Sequence, residues 1–366
     1  MDTLYKSFFA LLRSGLWNRE PESECFPLSP EMWEKVYILA RKQTVEGIVY
    51  DGILRLPDAH LPPKDLILRW IVVIDALEKR NQQMNKVIGE MNDEFTTNHI
   101  TAFLTKGQGV AVCYPNPLRR RCGDIDWSFS DKQTFEKAYE RVRKRGIPIE
   151  RQAGFSAGFV LKDFMIEYHR YLLDISNPFV YKYLKELQHQ EFIHSGCLEV
   201  YGKKVLLPSP VLSHLTVNSH ILKHLLSFGI SFRQLCDSAR VYHAYHQCAE
   251  IKQMQQIYRK LGIYRWVQLL NNLLVNYLGM PEEYLPFPLK KKQKADWMMM
   301  DILKSGNFGF YGSPFSKEKD EPQIKRKFVW LQLSVRFVRY VQYAPWEAIW
   351  FPLVHTFSHL KNKISR

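Results

Sequence analysis

Two aspartates separated by one apolar residue are the clearest candidates for chemistry in this chain. Asp124 and Asp126 flank Ile125 in the segment GDIDWSF, whose composition predicts a β-strand. Side chains two positions apart on a strand share a face, which places the two carboxylates about 6 to 7 Å apart. Such carboxylates repel each other in apolar surroundings unless a cation such as Mg²⁺ binds them. The competing interpretation is a strand edge with two solvated aspartates, since the pattern is common.

A glycine turn upstream of the aspartates has features of a phosphate site. Gly107 and Gly109 follow the short apolar strand AFL and precede a predicted helix from Gln108 to Cys113. Glycine allows backbone N–H groups to approach a phosphate closely, and a helix start attracts negative charge. Lys106 adds a cation beside the turn. Together these features favour an anion-binding turn.

Further charged residues lie close to the two motifs. The basic run from Arg119 through Arg120 to Arg121 leads directly into the aspartate strand and is suited to gripping phosphate. Glu167 lies in the otherwise apolar strand FMIEYH, where a charge calls for an arginine partner or a metal. His169 shares its face, and we interpret it either as packed beside the site or as a contact to substrate or metal.

A later helical segment adds a second pair of charges. Arg233 and Asp237 are four residues apart in SFRQLCDSA. At that spacing they form either a surface ion pair or part of a cleft that holds a base, a ribose or an acceptor. No His-Glu-x-x-His, Walker-type or nucleophile-elbow pattern is present. The histidines of this region are therefore interpreted as helix-face residues: His220, His224, His243 and His246.

The elements that must position these residues follow from hydrophobic periodicity. Residues 1–100 predict helices, including one long amphipathic helix from Pro62 to Ile100. Residues 101–207 alternate strands with a helix and end in a hairpin around Gly202. Residues 208–366 return to helical patterns, including a loop at 290–294 and a basic-aromatic helix at 325–343. The predicted fold class is α+β: a small mixed-sheet core with helical regions on both sides.

Composition limits the class of protein. Lys and Arg outnumber Asp and Glu by 51 to 37, a net charge of +14, which favours polyanionic partners or indicates a solvated basic surface. The six cysteines contain no C-x-x-C pair, which argues against a zinc ribbon and a redox dithiol. No stretch approaches the roughly 18 uninterrupted apolar residues of a membrane span. We expect a cytoplasmic protein without integral membrane association.

The segments LTKGQGVAVCYPNPLRRRCGDIDWSFS and DFMIEYHRYL carry a resemblance to a known family. They resemble the uncharacterised nucleotidyltransferase family of the DNA polymerase β-like superfamily. Its four motifs match Lys106-Gly107, the Tyr-x-x-Pro-x-x-Arg segment ending at Arg120, the GDID tetrapeptide ending at Asp126, and the strand carrying Glu167 and His169. The resemblance covers roughly residues 30–310 and is sharpest at 103–170. It makes 101–207 the nucleotidyltransferase core, between an N-terminal helical region (1–100) and a C-terminal helical domain (208–366).

The resemblance implies a reaction and its cofactor. Asp124 and Asp126 would bind metal, and Glu167 would be the third carboxylate, acting as a base or holding a second ion. Gly107 and Gln108 would lie at the nucleotide phosphates. The implied activity is Mg²⁺- or Mn²⁺-dependent transfer of an NMP group, with AMP expected, from an NTP to an acceptor with release of pyrophosphate. The acceptor is unidentified: a small molecule, a sugar, a protein or an RNA end.

The sequence thus defines one candidate site and leaves three hypotheses for it. Gln108 stands where the superfamily usually has Ser or Gly, which keeps open a catalytically weak nucleotide-binding or regulatory module; a third hypothesis is a basic RNA-binding protein. The three acids favour the transferase, because a protein without turnover gains nothing from such costly carboxylates. The catalytic and metal set is Asp124, Asp126 and Glu167. The nucleotide-binding set is Lys106, Gly107, Gln108, Gly109, Arg120, Arg121, His169, Arg233 and Asp237.

Overall fold

A five-stranded mixed sheet carries the candidate acids. The computed structural model describes residues 2–151, 156–227, 229–290, 295–306 and 334–364. The strands, in the spatial order β1-β2-β5-β4-β3, are β1 (Ala102–Leu104), β2 (Asp124–Phe129), β3 (Glu150–Arg151), β4 (Ser156–Leu161) and β5 (Phe164–His169). Strands β2 and β5 run parallel, and the other neighbours are antiparallel. The predicted α+β class with a small mixed sheet is confirmed.

Helices account for most of the remaining regular structure. Before the sheet lie α1 (Thr3–Trp17), α2 (Pro30–Lys42), α3 (Glu46–Ile53) and α4 (Lys64–Thr97). Among the strands lie α5 (Gln108–Ala111), α6 (Lys132–Lys144) and α7 (Tyr181–Glu191), followed by the hairpin of β6 (Gly196–Val200) and β7 (Lys203–Leu207). The last helices are α8 (Pro210–Leu226), α9 (Phe232–Tyr245), α10 (Met254–Lys260), α11 (Tyr264–Asn276), α12 (Asp296–Ser305) and α13 (Pro345–Ile364).

The main deviation in element bounds is at the glycine turn. The predicted helix from Gln108 to Cys113 ends at Ala111. The chain then turns toward Pro115, which disfavours helical geometry in the residue before it. The predicted loop at 290–294 and the helix at 325–343 lie outside the described residues, except for Lys290 and 334–343. Within the described ranges, no helix combines the length and apolar character needed to cross a bilayer.

Two hydrophobic cores hold the elements in place. One lies between the sheet and helices α4 and α6, where Trp127 and Tyr168 pack around Phe95, with the Phe95 and Trp127 rings 5.0 Å apart. The other joins the N-terminal helices to the C-terminal ones, as where Phe9 meets Phe232 at 5.3 Å. We propose that the chain divides into three parts, with boundaries at residues 100 and 207. The first and third parts share one hydrophobic core.

Candidate active site

Strand pairing brings the three predicted acids to one face of the sheet. Parallel pairing of β2 with β5 sets Asp126 beside Glu167. Asp124 precedes Asp126 by two residues and therefore shares its face, while Ile125 and Trp127 are buried on the opposite face. The three acids line a single cleft of about 270 Å³. The third carboxylate thus lies next to the other two.

Asp126 is the most heavily engaged of the three acids. It is 2% exposed, and its Oδ1 lies 2.7 Å from Lys106 Nζ and 2.6 Å from His169 Nε2. Burial by itself would raise the pKa of Asp126, but the Lys106 ammonium and His169 hold it well below its usual range. His169 Nε2 also lies 3.4 Å from Glu167 Oε2. His169 therefore bridges two of the candidate acids.

Asp124 lies in the same cleft, but its pKa is shifted in the opposite direction from that of Asp126. Burial first, and then the neighbouring carboxylates of Asp126 and Glu167, raise the pKa of Asp124 to about 6. The potential ligand atoms of Asp126, Glu167 and His169 lie within 4.8 Å of one another, and Asp124 is outside that tight group. Clustered carboxylate oxygens fit a hard divalent cation such as Mg²⁺ or Mn²⁺, which would relieve their repulsion.

The glycine turn approaches the start of β2 closely. Gly107 has a φ of +52°, and a Cβ added there would lie 2.7 Å from Cys122 Sγ. A Cβ on Gly109 would lie 2.5 Å from the carbonyl oxygen of Leu104. Gly107 therefore lets the turn line the cleft, whereas Gly109 lets α5 pack against the end of β1.

Gln108 has a different environment from the one its position in the motif suggests. Its side chain is 4% exposed and its Nε2 lies 3.6 Å from Met84 Sδ on α4. The amide thus points into the core beneath the turn, which leaves only the backbone of Gln108 for a phosphate contact. The Gln108 side chain therefore offers no hydroxyl to a phosphate in the cleft.

The three consecutive arginines are all engaged by carboxylates of the protein. Arg119 contacts Asp51 and Glu78, and Arg121 contacts Glu46 on α3. Arg121 was expected at the nucleotide, but its side chain points to Glu46, and it is absent from the residues that line the cleft. Arg120 does line the cleft.

Asp237 anchors Arg120 from helix α9. Arg120 Nε donates to Asp237 Oδ1 at 3.0 Å, and Nη2 donates to Oδ2 at 2.6 Å. Tyr114 also donates its hydroxyl to Oδ1 at 2.8 Å. The surface ion pair considered for Arg233 and Asp237 is wrong, because Asp237 is 6% exposed and its partner is Arg120.

Arg233 and residues of α8 line the same cleft as the acids. Arg233 donates from Nη1 to the carbonyl of Arg121 at 3.2 Å, and burial, then Arg120, lowers the pKa of Arg233. Lys223 Nζ lies 2.8 Å from Asp174 Oδ1. His220, His224 and Asp237 also line the cleft.

Lys223 was not among the predicted site residues, and His220 and His224 were interpreted as ordinary helix-face residues. His220 Nδ1 lies 3.0 Å from Asp174 Oδ2, and the two histidine rings are 4.3 Å apart. A signal was present, because polar residues at spacings of three and four interrupt the apolar run of α8 on one side. Nothing in the sequence linked that side of α8 to the sheet, whose last strand ends at His169.

Comparison with known proteins adds family and structural matches. Residues 29–279 match the model of a family described as "Uncharacterised nucleotidyltransferase". A solved structure of an antigenic nucleotidyltransferase-like protein from Paracoccidioides brasiliensis is similar at 13% identity, covering 54% of this chain and 92% of that one, with a TM-score of 0.33. The search of curated proteins found no match.

Proposed function

The chain belongs to the uncharacterised nucleotidyltransferase family, and from that premise we propose that it transfers an NMP group, AMP in the first instance, from an NTP to an acceptor hydroxyl. The observation that carries the proposal is the convergence of Asp124, Asp126 and Glu167 on one cleft. The cationic side chains of Lys223 and Arg233 face that cleft from helices α8 and α9. A cleft that combines these acids with cationic side chains suits a metal-bound polyphosphate.

The acids suit a divalent cation because they are carboxylates that lie close together. Asp126 and Glu167, with His169 within reach and Asp124 beside them, are the residues that would hold Mg²⁺ or Mn²⁺. When bound, such an ion supplies Lewis-acid polarisation of the α-phosphate and neutralises charge on the leaving pyrophosphate. Lys106 neutralises part of the negative charge of the acids by pairing with Asp126.

The remaining chemistry falls to side chains of the protein. The acceptor oxygen forms a bond to the α-phosphorus while the bond from that phosphorus to the bridging oxygen breaks, and pyrophosphate leaves with the electron pair. The hydroxyl proton passes to the Glu167 carboxylate, which is half-buried and lines the cleft. Gly107, Lys223 and Arg233 are placed to orient the triphosphate.

A labelled-nucleotide screen tests this function. The wild-type chain is incubated with α-³²P-labelled ATP, CTP, GTP or UTP and Mg²⁺ or Mn²⁺, against small hydroxylated acceptors and against itself. Binding of α,β-methylene-ATP with Mn²⁺ is measured in parallel by calorimetry, so that the result does not depend on the choice of acceptor. We expect metal-dependent binding, labelled product and pyrophosphate.

Matched variants make the screen specific to the acids. Asp126→Asn and Glu167→Gln should lower turnover by at least about 100-fold, in the range expected for loss of a general base or metal ligand. Asp163→Asn, in the β4–β5 turn, keeps the same chemical change outside the cleft and should behave as wild type. A wild type that binds no nucleotide with either metal, or a Glu167→Gln variant with unchanged turnover, would overturn the proposal.

Two observations favour a second candidate function, nucleotide binding with little turnover. The ammonium of Lys106 contacts Oδ1 of Asp126 and so competes with a metal ion for this carboxylate, and the Gln108 side chain offers no hydroxyl to phosphate. In that case, wild type and Glu167→Gln would bind α,β-methylene-ATP with equal affinity, and neither would release pyrophosphate.

A further inference from the structure

A second and larger cavity adjoins the acidic cleft. It has a volume of about 830 Å³ and shares Ser156, His169 and Lys223 with the cleft as lining residues. Its other walls come from the segments that follow β2 and β5, from helix α7 and from Val354 of α13. A cavity of this size matches the range that encloses small organic ligands.

The sheet topology places this cavity at the far end of the acids from the glycine turn. Strand β1 is antiparallel to β2, so Lys106 and Gly107 lie beside the start of β2. A Cβ on Gly107 would be 3.0 Å from the carbonyl oxygen of Asp124. The cavity is instead lined by Ser130 and Arg170, which follow the last residues of the parallel strands β2 and β5.

That placement determines which reactant the cavity suits. In phosphoryl-type transfer the attacking and leaving oxygens lie roughly in line on opposite sides of the phosphorus. If the leaving pyrophosphate lies at the glycine turn, the attacking oxygen approaches from the opposite end of the acids. His169, which lines both cavities and lies beside Glu167, marks that entrance.

The lining indicates the chemistry of the ligand. Tyr171 and Tyr181 meet edge to face, with ring centroids 5.6 Å apart, and Leu184 and Phe192 extend the apolar wall. Rings and aliphatic side chains in such a wall favour a flat or cyclic apolar body.

Charge around the same cavity is unbalanced toward positive. Its acids are already engaged: Asp131 caps α6 by accepting the Thr134 N–H at 2.8 Å, and Asp174 binds Lys223 and His220. Lys132 and Lys185, both exposed, also line the cavity, as does Arg170. An anionic ligand is therefore favoured over a neutral or cationic one.

We propose that this cavity, the acceptor chamber, binds the acceptor, and that the acceptor is an anionic small molecule with a ring-shaped apolar body and a hydroxyl directed at Glu167. The inference rests on the proposed function, which it extends by assigning the acceptor class. Proteins and RNA ends are thereby set aside as the main acceptors.

The fluorescent probe 7-hydroxycoumarin-3-carboxylate has the required ring system, hydroxyl and anion, and 7-hydroxycoumarin, which lacks the carboxylate, is its matched control. Fluorescence titration should show binding of the carboxylate to the wild type and weaker binding of the compound without it. Lys185→Glu should weaken carboxylate binding by about tenfold, a change of about 1.4 kcal/mol. Lys182→Glu, on the same helix but outside the cavity lining, should leave binding within about twofold.

A filling variant tests the location independently of charge. Leu184→Trp places a large ring in the chamber and should abolish probe binding, while Lys182→Trp should not. Both should keep the wild-type affinity for α,β-methylene-ATP with Mn²⁺. Circular dichroism melting of each variant confirms that it is folded, and Lys185→Glu serves as the test if Leu184→Trp is not.

The outcomes separate the inference from the proposed function. The chamber assignment is overturned by a wild type that does not bind the carboxylate probe, by unchanged probe binding in Leu184→Trp and Lys185→Glu, or by a loss of nucleotide affinity in Leu184→Trp, which would place the nucleobase there. None of these results removes nucleotide binding by the wild type. Failure of that binding, measured without the probe, overturns the proposed function instead.

Discussion

Lys106 and Asp126 form an ion pair at the centre of the acidic cleft, with Lys106 Nζ 2.7 Å from Asp126 Oδ1. Burial would lower the pKa of Lys106, but Asp126 first, then Asp174 and Glu167, raise it above its ordinary value. The chain thus supplies its own cation to the acids. A divalent ion must either displace this ammonium from Asp126 or bind the remaining carboxylate oxygens beside it.

Replacing Lys106 should make the fold depend on metal. In Lys106→Met with EDTA, Asp126 loses its charged partner, and we expect the free energy of unfolding to fall by about 3 kcal/mol. Saturating Mn²⁺ should restore most of that loss, because it can neutralise the same carboxylate. Thermal unfolding with EDTA and with Mn²⁺ measures the difference, which should be larger for the variant than for the wild type.

The control for that experiment is an exposed lysine whose ion pair has the same nitrogen-to-oxygen distance. Lys79 pairs with Asp75 on the surface of α4, also at 2.7 Å, with both side chains more than half exposed. Lys79→Met should change the free energy of unfolding by less than about 0.5 kcal/mol and respond to Mn²⁺ as the wild type does. Equal Mn²⁺ effects in all three proteins would contradict competition between Lys106 and the metal.

Asp237 should prove to be a structural residue. In Asp237→Asn the buried guanidinium of Arg120 loses its charged partner, so we expect the free energy of unfolding to fall by about 3 kcal/mol. Urea titration checks this, with exposed Asp75→Asn as the matched control. Because the carboxylate is already held by Arg120 and Tyr114, the affinity of the folded variant for α,β-methylene-ATP should remain within about twofold of wild type. A stable variant with lost nucleotide affinity would reverse this assignment.

Arg233 should behave in the opposite way. Its Nε has no hydrogen-bond partner among the described residues, and its side chain lines the cleft. Arg233→Met should weaken α,β-methylene-ATP binding by about tenfold, as expected for loss of a charged hydrogen bond, with a change of less than about 1 kcal/mol in stability. Arg121→Met is the comparison, because it leaves Glu46 buried without its guanidinium partner and should lower stability more than affinity. Calorimetry and urea titration on both variants separate the two effects.

How far the sequence predicts the site depends on the range of the interaction. The alternation of Asp124 and Asp126 is local to one strand, and the same rule set Glu167 and His169 on one face. The partners of Arg120 and Arg121 are 117 and 75 residues away, so no local pattern could reveal that these arginines bind protein carboxylates. Such pairings depend on how whole helices pack against the core.

Residues distant in sequence also decide the side-chain direction at the glycine turn and the placement of the C-terminal helices, so local patterns do not predict either. The glycines predicted a close backbone approach, which the structure shows at Gly107. The direction of the Gln108 side chain depends on its contact with Met84, which lies on helix α4 earlier in the sequence. Lys223 was missed for a related reason, since its place in the lining of the cleft comes from the packing of α8.

For Gly109→Ala, the space around the residue and its helix propensity predict opposite changes in stability. Alanine in a helix is favoured over glycine by about 1 kcal/mol, which alone would stabilise Gly109→Ala. The added Cβ would lie 2.5 Å from the Leu104 carbonyl oxygen, so we expect a net loss of about 2 kcal/mol instead. Gly123→Ala, where a Cβ meets nothing within 4 Å, should change stability by less than about 0.5 kcal/mol. Urea titration of both variants measures the change in the free energy of unfolding. A stabilised Gly109→Ala would mean that α5 can shift away from β1.

His214 should make the C-terminal core sensitive to acid. It is fully buried, its ring lies 4.8 Å from that of Tyr242, and burial lowers the pKa of His214 to about 4, against an unfolded value of about 6.5. Because the unfolded chain binds the proton more tightly, the stability is fully present above pH 6.5 and is lost as the pH falls toward 4. That loss amounts to about 3 kcal/mol for this residue. His214→Phe preserves the ring contact, so its free energy of unfolding should fall less between pH 7 and pH 4 than that of the wild type. Exposed His189→Phe should follow the wild-type curve, and parallel curves for all three proteins would show that His214 is protonated in the folded state.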